Sequence, residues 1–132
     1  MRSIVYFSTA TAPMPKAALE ALRQECADND SHVGITGMLL YHHGNFLQVI
    51  EGSAAVIRDM FARIIAAPRH TGIRTISDRM ISCREFGGPA VGFKNLDDAA
   101  EGTPFLGPFT CEAYEVDPDL ALLTLSYFYH NP

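Results

Sequence analysis

The sequence predicts an α+β sandwich, a mixed sheet carrying two helices on one face. Two patterns and a size argument support this. Short apolar runs rich in β-branched and aromatic residues alternate with segments whose apolar residues recur every three to four positions. Read in order they give β-α-β-β-α-β-β. The 132 residues leave room for one domain, large enough to bury a core without staples.

Ser3 to Phe7 is an apolar, β-branched opening strand. Ser8 to Pro15 is small and broken by prolines, so it reads as a loop. From Lys16, apolar residues fall at Ala18, Leu19, Leu22 and Cys26, one face of a helix. The run Asp28-Asn29-Asp30-Ser31 ends that helix, because these side chains compete for backbone hydrogen bonds.

Gly34 to Tyr41 and Phe46 to Glu51 are two apolar strands joined by the turn His42-His43-Gly44-Asn45, the pattern of an antiparallel hairpin. Ser53 is a candidate N-cap for a second helix, whose buried face is Val56, Ile57, Met60, Phe61, Ile64 and Ile65. Pro68 stops it. Ile73 to Phe86 reads as a strand, Gly87-Gly88-Pro89 breaks it, and Ala90 to Phe93 forms a short last strand. Helices on one face of this order make a ferredoxin-like sandwich with an extra strand.

The remainder differs. Asn95 to Cys111 is rich in Gly, Pro and Asp and reads as an irregular connection. Asp117-Pro118 is a helix start, with Asp117 as N-cap and Pro118 in the first turn. Leu120, Leu123 and Tyr127 then share one face, so one short helix is expected to pack on the domain. The expected division is a domain over 1–93 and an extension over 94–132.

Composition removes several function classes. Ten basic against 15 acidic residues give a net charge of -5, which excludes the basic footprint of a non-specific nucleic-acid binder. No apolar run reaches the roughly 20 residues of a membrane-spanning helix. The three cysteines, Cys26, Cys83 and Cys111, form no CxxC pair, so each is expected to be a small buried apolar residue in a reducing cytoplasm. No phosphate loop, GxSxG or HExxH motif is present, so no enzyme is indicated. His42 and His43 are adjacent, and neighbours on a strand face opposite sides, so the pair is assigned to a solvated turn and no metal site is expected.

Gln48 stands out. It interrupts an apolar strand, where an amide must be hydrogen-bonded by backbone or a neighbouring hydroxyl, or else face a ligand. Around it runs Ile35-Thr36-Gly37-Met38-Leu39-Leu40-Tyr41, then Gly44-Asn45-Phe46-Leu47-Gln48-Val49-Ile50-Glu51-Gly52. With Tyr6 and Ser8, Pro68-Arg69-His70, Ile81-Ser82-Cys83-Arg84-Glu85-Phe86 and Gly92-Phe93, this run resembles the BLUF family, blue-light sensors that use FAD. The resemblance extends from Ser3 to Phe93.

The resemblance implies that the flavin lies between the two helices over the sheet. Gln48 matches the glutamine that bonds the ring, and Tyr6 the tyrosine that bonds that glutamine. Light then drives electron and proton transfer from the tyrosine, and the amide rearranges. Ser8 belongs to the same frame, and Arg69 and His70 match positions on the cofactor side. Counting back from Thr36-Gly37, the flavin-binding asparagine falls on Asp30; a one-residue shift of the loop would bring Asn29 there. His32 stands where the family often has arginine, Ala67 where an acidic residue is common, and Pro89 and Val91 where Trp and Met are common. The implied function is a FAD-binding photoreceptor that is not an enzyme and signals to a partner protein, with a homo-oligomer expected from the resemblance alone. The alternative is a module that has lost flavin at these departures and serves as a protein-interaction domain.

Overall fold

In the computed structural model the chain forms a five-stranded sheet buried between two helical layers. It describes residues 1–30, 34–88 and 90–132, the side chains of 28–30 excepted. The strands are β1 (Arg2–Ala10), β2 (Thr36–His42), β3 (Asn45–Gly52), β4 (His70–Met80) and β5 (Val91–Asn95). Their spatial order is β4-β1-β3-β2-β5, with β5 parallel to β2 and every other pair antiparallel. This is the expected ferredoxin-like order, with β5 as the extra strand.

Helices α1 (Lys16–Asp30) and α2 (Ala54–Ala66) cover one face. There Leu19, Leu22 and Cys26 of α1 and Ile57 of α2 pack with Ile4, Leu39, Phe46 and Ile50 of the sheet. The opposite face is covered by α3 (Cys111–Val116) and α4 (Pro118–His130), against Val5, Phe7, Met38, Leu40, Leu47 and Val49. Strand period sends alternate residues to alternate faces, so strands apolar on both faces need cover on both sides.

The hairpin forms as expected, with a turn of only two residues. His43 and Gly44 both have positive φ, 47° and 80°, the left-handed pair that matches the twist of hairpin strands. Gly37 has no substitute: a Cβ there would lie 1.9 Å from the Val49 carbonyl oxygen of the paired strand.

Several boundaries differ from expectation. β1 continues through Ser8 to Ala10, because pairing with β3 and β4 on either side outweighs the weak propensity of small residues. β4 ends at Met80, not Phe86. Beyond it the chain folds back onto the end of β3, where the buried Glu51 carboxylate accepts hydrogen bonds from the Glu85 and Phe86 backbone N–H groups at 2.9 and 2.8 Å. Arg84 reinforces the fold-back, donating to Thr36 Oγ1, the Glu51 carbonyl and the Gly34 carbonyl. Ser53 occupies the N-cap position of α2 but makes no side-chain cap bond.

The C-terminal segment holds two helices rather than one. Thr110 caps α3 and Asp117 caps α4, each side chain accepting from a backbone N–H of the first turn. The buried face of α4 is Ala121, Thr124, Leu125 and Phe128, and Leu123 points outward. Of the three cysteines only Cys26 is buried; Cys83 is exposed. Half-buried Cys111 donates to Glu115, and burial with that carboxylate pushes its thiol up to about 11.

Candidate functional site

Between α1 and α2, over the sheet, lies a cleft of about 530 Å³. Ligand pockets for small molecules run from about 300 to 1,000 Å³, mostly apolar with a few placed polar groups. Its walls are apolar: Leu22 and Cys26 from α1, Met60 and Ile64 from α2, Leu39, Phe46 and Ile50 from the sheet. Its polar groups are Tyr6 and Gln48 on the floor, and Arg63, Arg69, His70 and Glu25 among its lining.

The floor pair follows from register. Tyr6 and Gln48 are directly opposed across the β1–β3 ladder, and both project to the α1–α2 face. The Tyr6 hydroxyl donates to Gln48 Oε1. Both residues are buried. The amide is therefore met by a neighbouring hydroxyl, and it also lines a cavity. Its nitrogen donates no hydrogen bond among the described residues.

His70, the first residue of β4, is held from both ring nitrogens. Nε2 lies 2.8 Å from the Ile64 carbonyl oxygen, and Nδ1 lies 2.8 Å from Ser8 Oγ. A carbonyl can only accept, so Nε2 carries the proton and Nδ1 accepts from the serine hydroxyl. This fixes one neutral tautomer. Burial, the larger cause, lowers the imidazole pKa; Arg69 pushes the same way and the Ile64 carbonyl opposes them. Arg69 donates to both oxygens of Glu25 at 3.2 and 3.0 Å, tying the turn after α2 to α1.

Of the expected site residues, Tyr6, Gln48, Arg69 and His70 meet in one cleft. Ser8 lies behind it, fully buried, orienting His70. The side chains of Asn29 and Asp30, with His32 and Pro89, lie outside the described residues. Ala67 lines the cleft and Val91 is buried in the core under α1 and α2. Arg63 went unnoticed in the sequence, although a lone cation at the end of an apolar helical face is visible there. Leu22, Cys26, Met60 and Ile64 read as core positions; part of that apolar face lines a cavity instead.

Fold and cleft together define a ferredoxin-like domain with an inter-helix cleft whose polar floor is a tyrosine–glutamine pair. The chain belongs to the BLUF family, described as sensors of blue-light using FAD, whose model matches residues 1–92. Photoactivated adenylate cyclase subunit beta of Euglena longa is 33% identical over 76 residues, 58% of this chain and 9% of that protein. The alpha subunit of Euglena gracilis is 28% identical over 87 residues, 66% of this chain and 8% of that protein. The chain thus spans less than a tenth of these relatives. Among solved structures, the dark state of BlrB, a BLUF protein, superposes with a TM-score of 0.69 at 27% identity, covering 95% of this chain and 84% of that one. Klebsiella pneumoniae BlrP1 with FMN and cyclic diGMP gives 0.69 at 26%, covering 75% of this chain and 26% of that one. A bacterial light-regulated adenylyl cyclase shares the fold, with a TM-score of 0.70 at 24% identity over 99% of this chain and 34% of that one. No helix among the described residues is long and apolar enough to cross a membrane.

Proposed function

We propose that this domain binds FAD non-covalently in the α1–α2 cleft and reports blue light to a partner protein through the Tyr6–Gln48 pair. The observation that carries the reading is the Tyr6–Gln48 hydrogen bond on the floor of that cleft. The residues fit a flavin. The apolar walls suit its ring faces, the Gln48 amide nitrogen is available to its polar edge, and Arg63 and Arg69 are cations suited to a phosphate.

When bound, the flavin supplies the blue-light absorption and an acceptor for an electron and a proton. The chain's own residues do the rest. Tyr6 is the donor, and its phenol proton already points along a hydrogen bond to Gln48 Oε1. The Gln48 amide has one donor end and one acceptor end, so rotation or tautomerisation exchanges them and leaves a different bonding pattern. Burial keeps water from competing for these groups. The output is a rearranged hydrogen bond, and no substrate is turned over.

Purification from flavin-rich cells, followed by absorption spectra before and after blue light, tests this. Bound FAD with a small reversible red shift supports it. Colourless protein that takes up no added FAD favours the alternative, a flavin-free interaction module, which rests on Asp30, His32, Ala67, Pro89 and Val91, of which Ala67 lines the cleft. Flavin that binds without any shift rejects the switch.

A further inference from the structure

The β2–β3 hairpin carries two histidines that the flavin reading does not use. Extended backbone would send their rings to opposite faces. His43 instead sits in the left-handed turn, and its ring stacks on that of His42 with centroids 3.9 Å apart. Asp97, in the one-turn 3-10 helix after β5, faces both. Its Oδ1 lies 3.1 Å from His42 Nδ1 and 3.6 Å from His43 Nε2. One ligand atom from each of the three residues falls within 4.8 Å of the others.

These separations suit a metal once the exposed His43 ring turns out of the stack, because an imidazole ligates through a lone pair in its ring plane. Two ligand atoms at the usual zinc bond length, around a tetrahedral ion, stand about 3.3 Å apart. The two observed distances bracket that value. Asp97 is also held in place. Asp97 Oδ1 accepts from the His43 backbone N–H at 3.0 Å, and Asn95 Oδ1 accepts from the Asp97 backbone N–H. His42 is 9% exposed and stands edge-on to Phe109, and its buried Nδ1 faces Asp97 Oδ1 at 3.1 Å without the alignment of a good hydrogen bond. The three side chains border an open cleft beside Leu106 and Gly107.

We propose that His42, His43 and Asp97 bind a divalent transition-metal ion, Zn²⁺ in the first instance, with the open cleft leaving a fourth position to solvent. Two imidazoles and one carboxylate suit zinc and its neighbours in the transition series; calcium and magnesium prefer all-oxygen sets. The ion joins the hairpin to the segment leading into α3 and α4. It lies on the sheet face away from Tyr6 and Gln48, so metal and flavin binding are separable.

The test is calorimetric titration of EDTA-stripped protein with zinc chloride, with thermal unfolding alongside. One ion per chain and a raised Tm are expected. His43→Asn removes the imidazole but keeps a residue that tolerates the positive φ, so its zinc-free Tm should stay near the parent's, while zinc binding weakens by about 100-fold or more. Asp97→Asn should weaken binding as well. No binding at millimolar zinc overturns the proposal. So does binding that persists in both variants, which would assign the ion to another group such as exposed Cys83.

Discussion

Tyr6 and Gln48 face each other across the two central strands of the sheet, joined by a hydrogen bond from the phenol to the amide oxygen. β1 is flanked by β4 and β3, and β3 by β1 and β2, so neither backbone is free to shift when that bond changes. A rearrangement of the pair must appear in side chains. Removing the hydroxyl should therefore disturb signalling far more than folding. Tyr6→Phe is expected to cost about 1 kcal/mol in urea unfolding. It should retain flavin and lose the light-induced red shift, and Gln48→Leu should lose it too. A normal shift in either variant would exclude that residue from the switch.

His70 gives the fold a pH dependence with a defined sign. Its folded-state pKa lies below the ordinary value, so the unfolded chain binds the proton more readily. Its contribution is complete above about pH 6.5 and is lost as pH falls from there through the folded-state pKa. Burial is the main cause of that direction, the Ile64 carbonyl opposes it, and Arg69 adds to it by repelling the added charge. The urea midpoint should fall between pH 8 and pH 5.5. The fall should be smaller in His70→Gln; an equal fall in both would remove His70 as the cause.

Glu51 pins the fold-back after β4. Its buried carboxylate accepts two backbone N–H bonds, and Thr36 Oγ1 lies 3.5 Å away. Hydrogen bonds to a charged group contribute roughly 1.5–3 kcal/mol. Glu51→Gln presents an NH₂ group to one of these donors and should destabilise by about 2 kcal/mol. Amide exchange at Glu85 and Phe86 should quicken ahead of exchange in β3, a difference that hydrogen–deuterium exchange resolves.

The second helical layer should contribute to the core of the domain. Leu125 is fully buried beneath α4, so Leu125→Ala should cost about 2–5 kcal/mol by the lost burial and the cavity left behind. Leu123→Ala, on the outward face of the same helix, should cost well under 1 kcal/mol. Similar losses in the two variants would contradict the packing described for α4.

Much of this fold was legible because its signals are local. Apolar, β-branched runs marked all five strands, period-3.6 patterns marked both helices of the first layer, and Asp117-Pro118 marked the start of α4. What escaped depends on distant partners. β1 continues through Ser8 to Ala10 because two strands pair with it. The expected strand over 81–86 is absent because Glu51, more than 30 residues earlier, captures its backbone N–H groups. Of the expected face, Leu120 and Tyr127 pack partly buried against the core and only Leu123 points outward, because the strongly apolar α4 offers overlapping faces. At the site, Gln48 was conspicuous as an amide in an apolar strand, while Tyr6 opposite it depends on register. The stacking of His42 on His43 was hidden, because the strand rule fails once His43 adopts positive φ.

The most direct measurement is the absorption spectrum of the purified protein, recorded in the dark, after blue light, and again after dark recovery. The account predicts bound FAD whose bands move slightly to the red on illumination and return in the dark, with the movement absent in Tyr6→Phe. Protein that purifies without flavin and fails to take up added FAD, or flavin bands that do not move, would contradict it.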